Sequence, residues 1–154
     1  MVIFNKLKSA VRIFFLLTAL TSNGSWGVYY VFSGKNHDEF IGCLDCEHYS
    51  QSSVCNKFGP FGNEFSPTSM FNSRSEYGNI LSVKSPWQNI GFEPRSGTPV
   101  LVDDKGNYFG YWTIDINIPG AFINASALAE NYKDANGNLL LMRDMLCNQG
   151  VYTK

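Results

Sequence analysis

Tyr49-Ser50-Gln51-Ser52-Ser53-Val54-Cys55-Asn56, Phe65-Ser66-Pro67-Thr68-Ser69-Met70-Phe71-Asn72 and Leu81-Ser82-Val83-Lys84-Ser85-Pro86-Trp87-Gln88 are three versions of one phrase, set 16 residues apart. Each begins with an aromatic residue or Leu followed by Ser, places a second Ser three residues later, and ends on a carboxamide. Gly62-Asn63 and Gly78-Asn79 recur at the same interval. A fixed period marks one structural unit used repeatedly, so the stretch 49–92 is expected to build a stack of short units. Paired Ser hydroxyls at that spacing bond nearby backbone and fix turns, and Gly-Asn tolerates positive φ. No helical period runs through it, so short extended segments alternating with turns are expected. Tyr49, Phe65 and Leu81, together with Cys55, Phe71 and Trp87, are expected to stack copy upon copy.

Downstream, Pro99-Val100-Leu101-Val102 and Asn107-Tyr108-Phe109-Gly110-Tyr111-Trp112-Thr113-Ile114 flank Asp103-Asp104-Lys105-Gly106, which predicts a β-hairpin. Both faces of its second strand are apolar or aromatic, so that strand is either central or presents a contact face. Upstream, Val28 to Phe32 is a β-prone run suited to a sheet edge, and Ser33 to Glu39 reads as a polar, flexible approach to the cysteines. The tail predicts two helices. Asn124 or Ser126 caps one running to about Tyr132, and the other runs from Leu139 to Cys147 with Leu139, Met142 and Leu146 on one stripe. The expected fold class is α+β: stacked short repeats and a hairpin packed on one or two C-terminal helices and stapled by disulfides.

The chain has 154 residues and a formal charge of −1. Lys6, Lys8 and Arg12 precede an apolar run from Ile13 to Leu20, and small and polar residues follow from Thr21 to Gly27. That order is a signal peptide, residues 1–27, and its apolar run is far short of a membrane span. The remainder, 28–154, is one domain, secreted or periplasmic, with no stable membrane span after cleavage. Losing three cations takes its charge to −4, and no basic stripe remains to neutralise phosphates, which argues against nucleic acid. Cys43, Cys46, Cys55 and Cys147 are an even set in a short exported chain, so two disulfides are expected, with three pairings open. One bridge within the Cys43–Cys55 cluster and one to Cys147 is favoured, because the long bridge removes the most unfolded-state entropy.

Chemistry is sparsely signalled. Cys43-Leu44-Asp45-Cys46 has dithiol spacing, but Asp45 and Glu47 would raise a thiol pKa, and export favours bridging. Cys43, Cys46, His48 and Cys55 can be written as a zinc set, with His48 at an atypical interval. Asp134-Ala135-Asn136-Gly137-Asn138 fails as a calcium loop, having Gly fourth and Met145 twelfth. No cofactor is expected. Tyr77, Trp87, Tyr108, Tyr111 and Trp112 are the candidate binding residues, as a flat aromatic platform, although aromatics are equally what a Gly/Ser-rich domain needs for a core. The expected function is a non-catalytic binding or structural module with an extracellular or envelope protein or glycan as partner. The alternatives are a small secreted hydrolase using paired carboxylates, and a zinc or redox site at Cys43 and Cys46.

Between Ile41 and Cys147, Gly42-Cys43-Leu44-Asp45-Cys46, the tandem Ser/Asn phrases, the Pro99–Asp103 hairpin strand with Gly106 to Tyr111, and Leu146-Cys147 occur in one order. This order resembles a family of small secreted bacterial proteins of unassigned role with tandem Tyr-Gly-x-x-Tyr-Ser-x-x-Ser-x-x-Asn units. The chain departs from that pattern at Phe61, Asn63, Asn79 and Arg74-Ser75. The resemblance implies fold and export, and carries over no functional residue.

Overall fold

Tyr29–Gly34 (β1), Glu39–Cys43 (β2), Gly97–Asp103 (β3) and Tyr108–Tyr111 (β4) form one antiparallel sheet in the order β2-β1-β3-β4. The computed structural model describes residues 27–89, 91 and 93–149; the expected leader, apart from Gly27, lies outside them. The β3–β4 hairpin forms where the Gly-containing loop predicts it, with Gly106 N–H donating to Asp103 O and Asp103 N–H to Asn107 O. β1 is not an edge: it pairs with β2 on one side and β3 on the other. The reason is that 33–39 is not a loose approach but a hairpin turn closed by His37 N–H to Gly34 O at 3.0 Å, with Gly34 and His37 both at positive φ. β2 and β4 are the edge strands, and on β4 Tyr108 and Phe109 are exposed.

The repeated stretch folds as an unbroken string of turns. Backbone N–H groups of Ser50, Ser53, Asn56 and Gly59 each donate to the carbonyl three residues back, Asn63 donates to the carbonyl four back, and the series continues with Ser66, Ser69, Asn72 and Ser75. Asn79 again reaches four back, to Ser75, before Ser82 and Ser85 resume the shorter step. The wide turn therefore recurs every 16 residues, which is the sequence period expressed as hydrogen bonds. Side chains reinforce each turn from its first residue: Asn56 Oδ1 accepts from Phe58 N–H, Ser69 Oγ from Phe71 N–H and Asn72 Oδ1 from Arg74 N–H, all within 3.1 Å. Ser and Asn populate these positions because their short side chains bond the backbone two residues on.

Burial alternates in blocks. The second half of each phrase faces in, with Val54, Met70, Phe71 and Trp87 at 2% exposure or less. The first half faces out, and this corrects the expected stacking: Tyr49, Phe65 and Leu81 are 80%, 81% and 82% exposed. Two hydrogen-bonded Ser in each phrase turn the chain between them, so the leading apolar residue ends up on the outer rim.

The array lies between the sheet and the helices. On the sheet side, Cys43 N–H donates to Ser52 O and Val54 N–H to Cys43 O, covering the free edge of β2. Glu39 of β2 accepts from Lys84 Nζ and Tyr77 Oη at 2.9 and 3.0 Å, and Phe40 packs edge-on against Phe61. On the other side sit α1 (Ala125–Asp134) and α2 (Leu139–Gln149). Asn124 precedes α1 without a side-chain cap bond, whereas Asn138 Oδ1 caps α2 by accepting from Leu140 and Leu141 N–H. Leu139, Met142 and Leu146 are buried as their spacing predicts, and Arg143 Nη1 donates to Gly62 O at 2.8 Å, fixing α2 to a wide turn. Cys43–Cys46 and Cys55–Cys147 are the disulfides, the first inside the cluster and the second joining array to α2. The fold is α+β.

Candidate binding seam

Three clefts open where the turn array meets the helices, and their walls follow the repeat. The first, about 220 Å³, has Tyr49 at its rim, the Cys55–Cys147 bridge beneath, and Lys57 and Asp144 beside it. The second, about 400 Å³, sets Phe65 over buried Phe71, with Arg74 on the array side and Asn138 to Leu140 on the helix side. The third, about 500 Å³, sets Leu81 over Trp87, with Tyr132 and Lys133 of α1 opposite. Rim residues 49, 65 and 81 and floor residues 55, 71 and 87 are thus the same two phrase positions used three times. As the array advances from the first cleft to the third, its helical partner retreats from Asn148 to Ala129, so the two run antiparallel along one seam.

Each floor is rigid. Trp87 stacks on Tyr132 with centroids 5.7 Å apart and planes 8° off parallel, and Phe71 leans on Trp87 at 6.0 Å. Trp87 Nε1–H donates to Met70 O, one turn string away. At the first cleft, burial pushes the Asp144 carboxyl up, but the hydrogen bond from Lys57 and the charge of Arg143 outweigh it and hold the group below its ordinary pKa. Asp144 therefore stays ionised and shared by two cations. The guanidinium of Arg74 and the ammonium of Lys133 make no hydrogen bond or ion pair to a described residue.

The five aromatics expected to form a platform do not form one. Trp87 and Trp112 are 1% and 0% exposed, both drawn into the core, Trp112 against Phe122 with ring centroids 4.6 Å apart. Tyr77 is half-buried and spends its hydroxyl on Glu39. Tyr108 and Tyr111 sit edge-to-face on β4, away from the seam. Only Trp87 of the set reaches a cleft, as its floor. The surface aromatics that matter, Tyr49 and Phe65, were readable as the first position of the repeated phrase. Their outward direction was not.

All four sulfurs are paired, so the set Cys43, Cys46, His48 and Cys55 holds no thiolate for a metal in this structure. His48, Cys55 and Cys147 do converge within 4.8 Å, but both sulfurs belong to the long bridge, and His48 Nε2 lies 3.3 Å from Cys147 O. Paired-carboxylate hydrolysis needs two acids across one site. Glu64 is the sole carboxylate of the second cleft, Asp144 of the first, and the third has none. Elsewhere, buried Asp115 accepts from Gly91 N–H and Asn117 N–H.

Half-buried Asp45, within the Cys43–Cys46 loop, has its pKa pushed up to about 6 by desolvation, and its Oδ2 is buried without a hydrogen-bond partner. The folded state therefore holds this proton more tightly than the unfolded chain, and stability is lost as pH rises from about 4 through 6. Asp45→Asn is expected to raise the urea midpoint at pH 7 and to leave it nearly unchanged at pH 3.5; an equal shift at both pH values would show that charge is not the cause.

Comparison with family models, curated proteins and solved structures found no match. Among the described residues, no helix is long and apolar enough to cross a membrane.

Proposed function

We propose that the chain is an exported, non-catalytic module that binds an extended partner along the seam between the turn array and α1–α2. The observation that carries this reading is the row Tyr49, Phe65 and Leu81: three apolar side chains about four-fifths exposed, one at each of three equivalent clefts. A large exposed apolar residue standing singly needs no explanation, but a periodic row beside preformed hollows is what a contact surface looks like. Export is supported by the leader pattern and the pair of disulfides.

Protein recovered from its export compartment, with the leader's loss checked by intact mass, provides the material for the test. Tyr49→Ser, Phe65→Ser and Leu81→Ser combined are expected to leave the melting temperature within a few degrees of the parent, since exposed positions contribute little to stability. The same triple variant is expected to lose at least tenfold in affinity for whatever linear polymer an array of glycans and peptides selects. Retained affinity with the fold intact would remove the seam from consideration.

A further inference from the structure

The charge around the seam differs from that of the rest of the chain. Of the 12 Lys and Arg residues, Lys6, Lys8 and Arg12 belong to the leader and Lys154 to the last residue; of the remaining eight, Lys57, Arg74, Lys133 and Arg143 line the three clefts. Only Glu64 and Asp144, of 13 Asp and Glu, do so. Asp144 is shared by Lys57 and Arg143, at 3.1 and 3.3 Å, which leaves a net positive charge in the first cleft. Arg74 in the second cleft and Lys133 in the third have no ion-pair partner among the described residues. A cationic strip on an acidic domain attracts anionic ligands and repels the domain's own surface.

Each cleft also carries a neutral polar side chain beside its apolar rim. Asn148, Ser73 and Asn89 line the first, second and third clefts, and the side chains of all three form no hydrogen bond with a described residue. The array backbone, in contrast, is folded into turns: most of its N–H groups bond within the turns or to the Ser and Asn side chains that brace them, and those left over at the clefts, such as Lys57, Glu64, Ser73 and Ile80, are scattered along them. An extended peptide is usually held by a continuous row of backbone hydrogen bonds along a free strand edge, and a string of turns presents no such row. A sugar ring needs the opposite set: an apolar face to lie against, side-chain amides or hydroxyls for its hydroxyl groups, and a cation if it bears a carboxylate.

We propose that the seam binds a linear polysaccharide bearing carboxylates, one stretch of sugar per cleft, with Arg74 and Lys133 meeting the carboxylates and Tyr49, Phe65 and Leu81 meeting ring faces. This rests on the binding reading above. Because the three clefts are tied to one rigid wall, binding strengthens with chain length until all three are filled, and then levels off.

The probe is a ladder of oligogalacturonates, titrated by calorimetry into the full exported chain, with carboxyl-reduced oligomers and poly-glutamate as comparators. Affinity for the galacturonates is expected to rise stepwise with length to a plateau, to fall with added salt, and to exceed that for the reduced oligomers by at least tenfold. Arg74→Gln and Lys133→Gln are each expected to weaken binding about threefold and to flatten the salt dependence, at unchanged melting temperature. Reduced oligomers binding as tightly as the acidic ones, with the rim triple variant still defective, would overturn the charge assignment and leave the seam standing. Preferential capture of poly-glutamate at the same residues would overturn the choice of a glycan. Loss of neither probe on changing the rim residues would overturn the seam itself.

Discussion

Replacing Cys55 and Cys147 together by serine is expected to destabilise the protein by about 4–5 kcal/mol, as the bridge closes a loop with a sequence separation of 92. In the chain-entropy account, the stabilisation comes from the unfolded state, whose ends are denied their freedom, and grows with the logarithm of loop length. The short Cys43–Cys46 bridge, at a separation of 3, should on the same account contribute only about 2 kcal/mol. Urea unfolding of the two double-serine variants separates the cases. A larger loss for Cys43→Ser/Cys46→Ser would mean that the small ring acts on the folded state, by covering Asp45 or by fixing the end of β2, and that the entropic account fails here. The Cys55 and Cys147 variant is also expected to unfold with a steeper dependence on denaturant, because its unfolded chain is free to expand.

The second large effect belongs to two glycines. Gly62 and Gly78 sit inside the wide turns, where a Cβ would drive into carbonyl oxygens: those of Asn56 and Val54 at the first, those of Asn72 and Met70 at the second. These obstacles are backbone: Asn56 O and Asn72 O accept the turn bonds from Gly59 and Ser75 N–H, and Met70 O accepts from Trp87 Nε1–H, so they cannot yield without breaking those bonds. Gly78→Ala is expected to lose about 3 kcal/mol, a fall of about 10 °C in melting temperature, and Gly62→Ala a similar amount. Gly62 carries a further burden, because its carbonyl accepts the bond from Arg143 that fixes α2. Gln51→Ala is the control: it lies in the same array, its side chain is exposed and makes no hydrogen bond to a described residue, and it should unfold like the parent. A Gly78→Ala protein as stable as the control would show that the wide turn is not held as tightly as its hydrogen bonds require.

The α+β class, the β3–β4 hairpin and the stripe Leu139, Met142 and Leu146 were all legible in the sequence, because local periods and turn residues decide them. The place of β1 was not. Val28 to Phe32 says strand, but only the Gly34 and His37 turn brings Glu39–Cys43 alongside, and a positive-φ His carries no sequence mark. The repeat announced its period but hid its direction. A string of turns with steps of three and four has neither the two-residue alternation of a strand nor the pitch of a helix, so the patterns that ordinarily tell inside from outside do not apply. Tyr49, Phe65 and Leu81 look as core-like as Cys55, Phe71 and Trp87 for that reason. The seam was invisible for another: its cations Arg74 and Lys133 are 59 positions apart and share no motif. They are brought to one line only when the helices fold back along the array.

That antiparallel arrangement makes the helix pair a caliper. Arrays built from tandem units commonly grow or shrink as copies are duplicated or deleted, each new unit stacking on the last. Here a further 16 residues would add a cleft for which the helices have little wall left, because the three clefts already use them from Asn148 back to Ala129 and α1 begins at Ala125. A further unit with a complete cleft would therefore need a longer α1, which ties the number of clefts to the length of the helices facing them.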